Sequence, residues 1–170
     1  MKRFLLSLLA VVTLAGCAEN LTPIDYVDPM IGTGFHAHTY PGATTPYGMV
    51  QLSPDTRVGG WDACSGYHYS DNTILGFSHT HLSGTGIGDL FDVTVMPVTG
   101  DVTYARGVIE EQNSGLWSPS DRTQEIVEPG YYSGYLTRYS IKSEMTATAR
   151  VGLHRYTFPE TADAAIVIDL

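Results

Sequence analysis

The chain has 170 residues, 43% of them hydrophobic, with nine basic against eighteen acidic side chains and a formal charge of −9. That length suits a single core, and the acidic balance repels phosphate backbones, which disfavours nucleic acid as a partner. The longest apolar run, near the start, falls short of the roughly 20 residues that a membrane-spanning helix needs.

Residues 1–17 read as a lipoprotein signal peptide. Lys2 and Arg3 supply a positive start, residues 4–14 are apolar, and Leu14-Ala15-Gly16-Cys17 reads as a lipobox. Cys17 would become the lipidated first residue, tethering an exported bacterial lipoprotein to a periplasmic or cell-surface membrane. Removing Lys2 and Arg3 leaves seven basic and eighteen acidic residues, a charge of −11. Residues 18–27 form a tether, and residues 28–170 form the domain. With Cys17 lipidated, Cys64 has no disulfide partner and is either a small buried hydrophobe or a residue at a pocket edge.

Between residues 24 and 54 loops alternate with one short strand, Met49-Val50-Gln51-Leu52, set among turn signals at Asp28-Pro29, Tyr40-Pro41-Gly42 and Thr45-Pro46. His36 and His38 occupy a glycine-flanked loop, and His79 with His81 repeats the spacing. Two such pairs could form a transition-metal site if the fold joined them, or could hydrogen-bond sugar hydroxyls or backbone; both readings stand at this stage.

Residues 59–92 organise the rest. Trp61, Tyr67 and Tyr69 offer flat apolar faces, while Asp62, His68, Asp71, His79 and His81 offer directional polar groups of the kind that hold hydroxyl-rich ligands. The run Ser83-Gly84-Thr85-Gly86-Ile87-Gly88 can take positive φ and bring backbone N–H groups near a ligand, or can simply be a turn. The stretch is expected to line a pocket, with Asp62, Asp71, Asp89 and Asp92 as nearby carboxylates.

Phe91, Val93, Val95 and Pro97 alternate with Asp92, Thr94, Met96 and Val98, which predicts a strand with apolar groups on much of both faces. Residues 107–130 are polar and read as a long surface connection, with Trp117 docked on the core or set at a ligand rim. Residues 131–141 and 144–153 alternate with a period of two; Met145, Ala147, Ala149, Val151 and Leu153 are expected on one face of one strand. Residues 164–170 have the β-branched look of a strand interior. No amphipathic helical run follows the leader, so the predicted fold is an all-β antiparallel sandwich, incomplete at its C-terminus.

The segments IGTGFHAHTYPGATTPYGMVQLSPDT (31–56), SGYHYSDNTILGFSHTHLSGTGIGDL (65–90) and ATARVGLHRYTFP (147–159) resemble the amino-terminal domain of glycoside hydrolase family 92. The resemblance implies a calcium-dependent, inverting exo-α-mannosidase acting on mannose-rich glycans. It further implies that this β-sandwich packs on a helical (α/α)-barrel domain of the same protein, absent from this chain, which supplies the catalytic acid and base and most calcium ligands. No catalytic residue and no metal ligand can then be assigned here, and the fragment alone is expected to be inactive. A mannose-binding wall would comprise Gly34, Trp61, Asp62, Cys64, His79 and His81. Phe35 and Ala63 depart from the family pattern, so the resemblance implies no particular linkage preference. The alternative is a non-catalytic, glycan-binding surface lipoprotein.

Overall fold

A computed structural model describes residues 21–86, 88, 90–105, 107 and 114–170. The leader with Cys17, and Ile87 and Asp89 in the glycine run, lie outside them, as do residues 106 and 108–113 of the polar connection.

Eleven strands are described: β1 (Ala43–Thr44), β2 (Gln51–Asp55), β3 (Thr73–Ile74), β4 (Gly76–Ser78), β5 (Thr94–Thr99), β6 (Ser118–Pro119), β7 (Ile126–Glu128), β8 (Tyr131–Leu136), β9 (Ile141–Ala147), β10 (Gly152–Thr157) and β11 (Ala164–Asp169). Short 3-10 turns span Pro23–Tyr26, Trp61–Ala63 and Arg122–Gln124, and no α-helix occurs among the described residues. One sheet runs β1-β2-β4-β5-β11, a second β10-β9-β8-β7, and β3 pairs with β6; every pairing is antiparallel.

The two larger sheets share one core. Leu52, Phe77, Met96 and Val98 come from the first, and Tyr132, Leu136, Ile141 and Met145 from the second. Phe77 lies 6.4 Å from the rings of both Tyr132 and Tyr156, so aromatic contacts cross the interface. The architecture is the expected all-β antiparallel one.

Local boundaries differ from the sequence reading in five places. The run expected to alternate over residues 131–141 is split between β8, which ends at Leu136, and β9, which starts at Ile141, by a turn in which Tyr139 N donates to Leu136 O at 3.3 Å. The single strand expected over residues 144–153 is instead the hairpin β9–β10. Thr148 N donates to Val151 O at 2.9 Å, and Thr148 Oγ1 accepts from Val151 N at 3.1 Å, closing the turn. The turn breaks the alternation: Met145 pairs with His154 and is buried, whereas Leu153 pairs with Thr146 on the opposite face and is exposed. Arg155 then clamps the hairpin by donating to both oxygens of Glu144, at 2.8 and 2.5 Å.

The strand expected at Met49 starts at Gln51 and continues through Pro54, because Met49 N is already bonded to Ala149 O at 2.7 Å. The strand expected from Phe91 begins at Thr94: Leu90, Phe91 and Val93 have φ of 71°, 62° and 54°, which no strand adopts. That segment folds back on Thr80 through Phe91 N to Thr80 O and Asp92 N to Thr80 Oγ1. The polar connection carries β6, a 3-10 turn and β7, and its Trp117 is buried, which settles it on the core rather than at a rim.

Candidate functional site

Gly60, at φ +91°, turns the chain into the 3-10 turn Trp61–Ala63. Ala63, Cys64 and Ser65 then sink into the domain, anchored by Gly66 N to Ala63 O and Thr56 N to Gly66 O. Trp61 and Asp62, at the front of the turn, are left at the surface. Trp61 is 65% exposed, and its ring lies against Gly86, where an added Cβ would come within 2.8 Å of Cη2 and Cζ3. One glycine of the run therefore seats the indole.

Asp62 is fixed by the histidines of the neighbouring loop. His36 Nδ1 lies 2.7 Å and His38 Nε2 3.0 Å from the same oxygen, Oδ1. Each imidazole nitrogen donates, and the two bonds, His36's first, hold the Asp62 carboxyl below the usual carboxylate range. Both of these bonds fall on Oδ1, and neither imidazole engages Oδ2. The His38 ring also stands edge-on to Trp61, at 5.5 Å and 69°, so one imidazole braces both the aromatic face and the carboxylate.

Behind this rim lies a polar network that periodicity did not reveal. Tyr67 and Tyr132 donate to Glu125, Arg122 pairs with Glu125 at 2.7 Å and with the Tyr67 hydroxyl, and its guanidinium lies over both Tyr67 (5.0 Å) and Tyr69 (5.3 Å). Burial first, and then the Glu125 charge, pushes the Tyr132 hydroxyl well up. Arg122 Nη2 also donates to Tyr69 O at 2.8 Å, holding the 67–71 loop. Asp71 is consumed internally by Arg57 and by Thr56 Oγ1 at 2.7 Å.

A family model described as "Glycosyl hydrolase family 92 N-terminal domain" matches residues 26–170. The chain belongs to glycosyl hydrolase family 92. It is 44% identical, with a TM-score of 0.83, to a family GH92 α-mannosidase from Bacteroides thetaiotaomicron solved in complex with mannoimidazole; the match covers 86% of this chain and 19% of that one. A family GH92 inverting mannosidase from Bacteroides thetaiotaomicron VPI-5482 matches at 29% identity and TM-score 0.68, over 86% and 19%. An uncharacterized secreted glycosidase of Arthroderma benhamiae is 31% identical over 142 residues, 79% of this chain and 17% of that protein. The chain thus spans about a fifth of the length of these relatives.

Within the family 92 domain the expected site residues divide by depth. Trp61 and Asp62 stand at the rim. Gly34 is beside it: an added Cβ would rest 3.6 Å from Tyr69 Cβ, an ordinary contact, so nothing in this chain's packing demands glycine there. Cys64 and His81 do not reach the surface. Cys64 is a free, fully buried cysteine, its buried rather than its pocket-edge reading. His81 is 1% exposed, with Nδ1 donating to Gln51 O at 2.6 Å and Nε2 2.9 Å from Asp55 Oδ1.

His79 faces the other sheet. Its Nδ1 donates to Val93 O at 2.6 Å, which leaves Nε2 to accept from His154 Nε2 at 3.0 Å, while His154 Nδ1 accepts from the Tyr156 hydroxyl at 2.6 Å. This hydrogen-bonded series joins the loop after β4 to β10, and burial first, then His79, lowers His154 to about 4. His154 and Tyr156 could have been suspected from their alternation, but not their partner 75 residues away. The two His-x-His pairs do not converge, and among the described residues no three or more His, Cys, Asp or Glu side chains are grouped to hold a metal ion.

Proposed function

We propose that this domain forms the wall of an exo-α-mannosidase active site that receives the terminal mannose. The observation that carries the proposal is the pairing of an exposed indole with a carboxylate oriented by two imidazoles. A hexose offers an apolar face and a ring of hydroxyls, and Trp61 and Asp62 Oδ2 offer their complements. The 44% identity to a mannosidase solved with mannoimidazole supports mannose over other hexoses.

Hydrolysis with inversion, the outcome named for one relative, requires a protonated acid and an ionised base about 6.5–9.5 Å apart. Asp62 suits neither acid nor proton shuttle, because its two imidazole donors stabilise the anion. Asp55 and Asp71 are engaged by His81 and Arg57. In this reading the chain binds and orients, and the acid and base belong to the rest of the protein. Calcium wants six to eight oxygen ligands, whereas among the described residues no three or more His, Cys, Asp or Glu side chains are grouped to hold an ion, and Asp55, Asp62 and Asp71 are each paired with imidazole or guanidinium; the residues described do not fit that ion, whose ligands in this proposal lie elsewhere in the protein.

The test is Trp61→Ala and Asp62→Asn in the protein that carries this domain. Each is expected to raise KM for α-mannobiose and Ki for free mannose about tenfold, a loss of about 1.4 kcal/mol. Unchanged constants in correctly folded variants would remove the proposed role.

A further inference from the structure

The loop that orients Asp62 carries a second exposed aromatic. Phe35 is 90% exposed and sits at φ +54°, a left-handed conformation that a bulky L-residue avoids. Its carbonyl is pinned by His68 Nε2 at 3.0 Å, and His68 is itself fixed by Ser70 Oγ at 2.8 Å from Nδ1. Phe35 immediately precedes His36, whose ring holds Asp62. Across Gly34, the 62%-exposed Tyr69 is tied to the same loop by its N–H to Thr33 O at 2.8 Å, with Arg122 over its ring. Backbone strain at a large apolar side chain held in water, next to a built polar site, is the arrangement of a ligand clamp.

We infer that Phe35 is a specificity-determining residue that stacks on the sugar next to the terminal one, with Tyr69 flanking it. The inference rests on the assignment of Trp61 and Asp62 to the terminal mannose, and it goes further by dividing the rim into two sugar positions. The terminal sugar meets Trp61 and Asp62. The leaving-group sugar meets the face of Phe35, so the ring contributes only when a second sugar is present.

That division sets the experiment. In the protein that carries this domain, Phe35→Ala and Phe35→Asn are compared with the parent by KM for α-mannobiose and Ki for free mannose. Asn suits the left-handed backbone and so removes the ring while keeping the turn. Both variants are expected to raise KM for mannobiose about tenfold and to leave Ki for mannose within twofold. Tyr47 is a matched control, fully exposed and left-handed at φ +59°, but lining a different groove with Tyr40 and Pro129; Tyr47→Ala should change neither constant. An unchanged KM, a rise in only one of the two Phe35 variants, or a parallel rise in Ki for mannose would each overturn the inference. Failure of the terminal-sugar assignment is seen separately, as an unchanged Ki for mannose in Trp61→Ala.

Discussion

Gly86 shows how one backbone atom decides the orientation of a functional side chain. Its φ of +77° and the indole 2.8 Å from where a Cβ would sit exclude any other residue without displacement. Gly86→Ala is therefore expected to lower stability by about 1 kcal/mol or more, seen as a lower urea midpoint at unchanged m. It should also blue- or red-shift the emission of the exposed Trp61, since the ring must leave its seat; an unchanged midpoint and spectrum would contradict the packing described. Asp62 makes the complementary point about polar groups. A carboxylate at a surface turn is ordinarily a mobile acceptor, but two imidazoles on Oδ1 leave Oδ2 a defined direction.

At the scale of elements, the hydrogen-bonded series Tyr156, His154, His79 and Val93 joins β10 to the loop after β4. The groups facing His154 in this series are His79 and Tyr156, neither of which can take its added proton without reversing a donor. The ordinary histidine value is 6.5 and the folded one about 4, so the unfolded chain binds the proton first. Stability from this group is complete above about pH 6.5 and is lost as pH falls from there through about 4. Between pH 7 and pH 5 the loss should be about 1–2 kcal/mol, allowing for partial solvent access. His154→Gln should flatten that part of the pH dependence in urea titrations. A dependence as steep as the parent's would show that other groups carry it.

At the scale of the molecule, the domain presents a rim of exposed aromatics on a sandwich, and the relatives it resembles are about five times longer. Export as a lipoprotein remains a proposal founded on Leu14-Ala15-Gly16-Cys17. In a bacterial host, the chain should incorporate radiolabelled palmitate and sediment with membranes. Cys17→Ala should abolish the label and release the protein, and labelling that survives the substitution would refute the lipid anchor.

Sequence alone determined the all-β antiparallel class, because period-two alternation and the lack of a helical period are local properties that survive in any packing. It also marked Trp61, Asp62 and the histidine loop, because that mixture of residue types has no use in a plain sheet, and its motifs led to family 92. Tertiary structure decided depth and partnership. His81 and His79 share a motif, yet one is buried against Asp55 and the other bridges the sheets to His154. Cys64 lies three residues from Trp61 and faces the opposite way. The hairpin at Thr148 hid within an unbroken alternation, since a tight turn preserves the count of residues while exchanging their faces. In the sequence Phe35 was only a departure from the family pattern; the bond from His68 to its carbonyl, a contact 33 residues away, is one that only the folded chain makes.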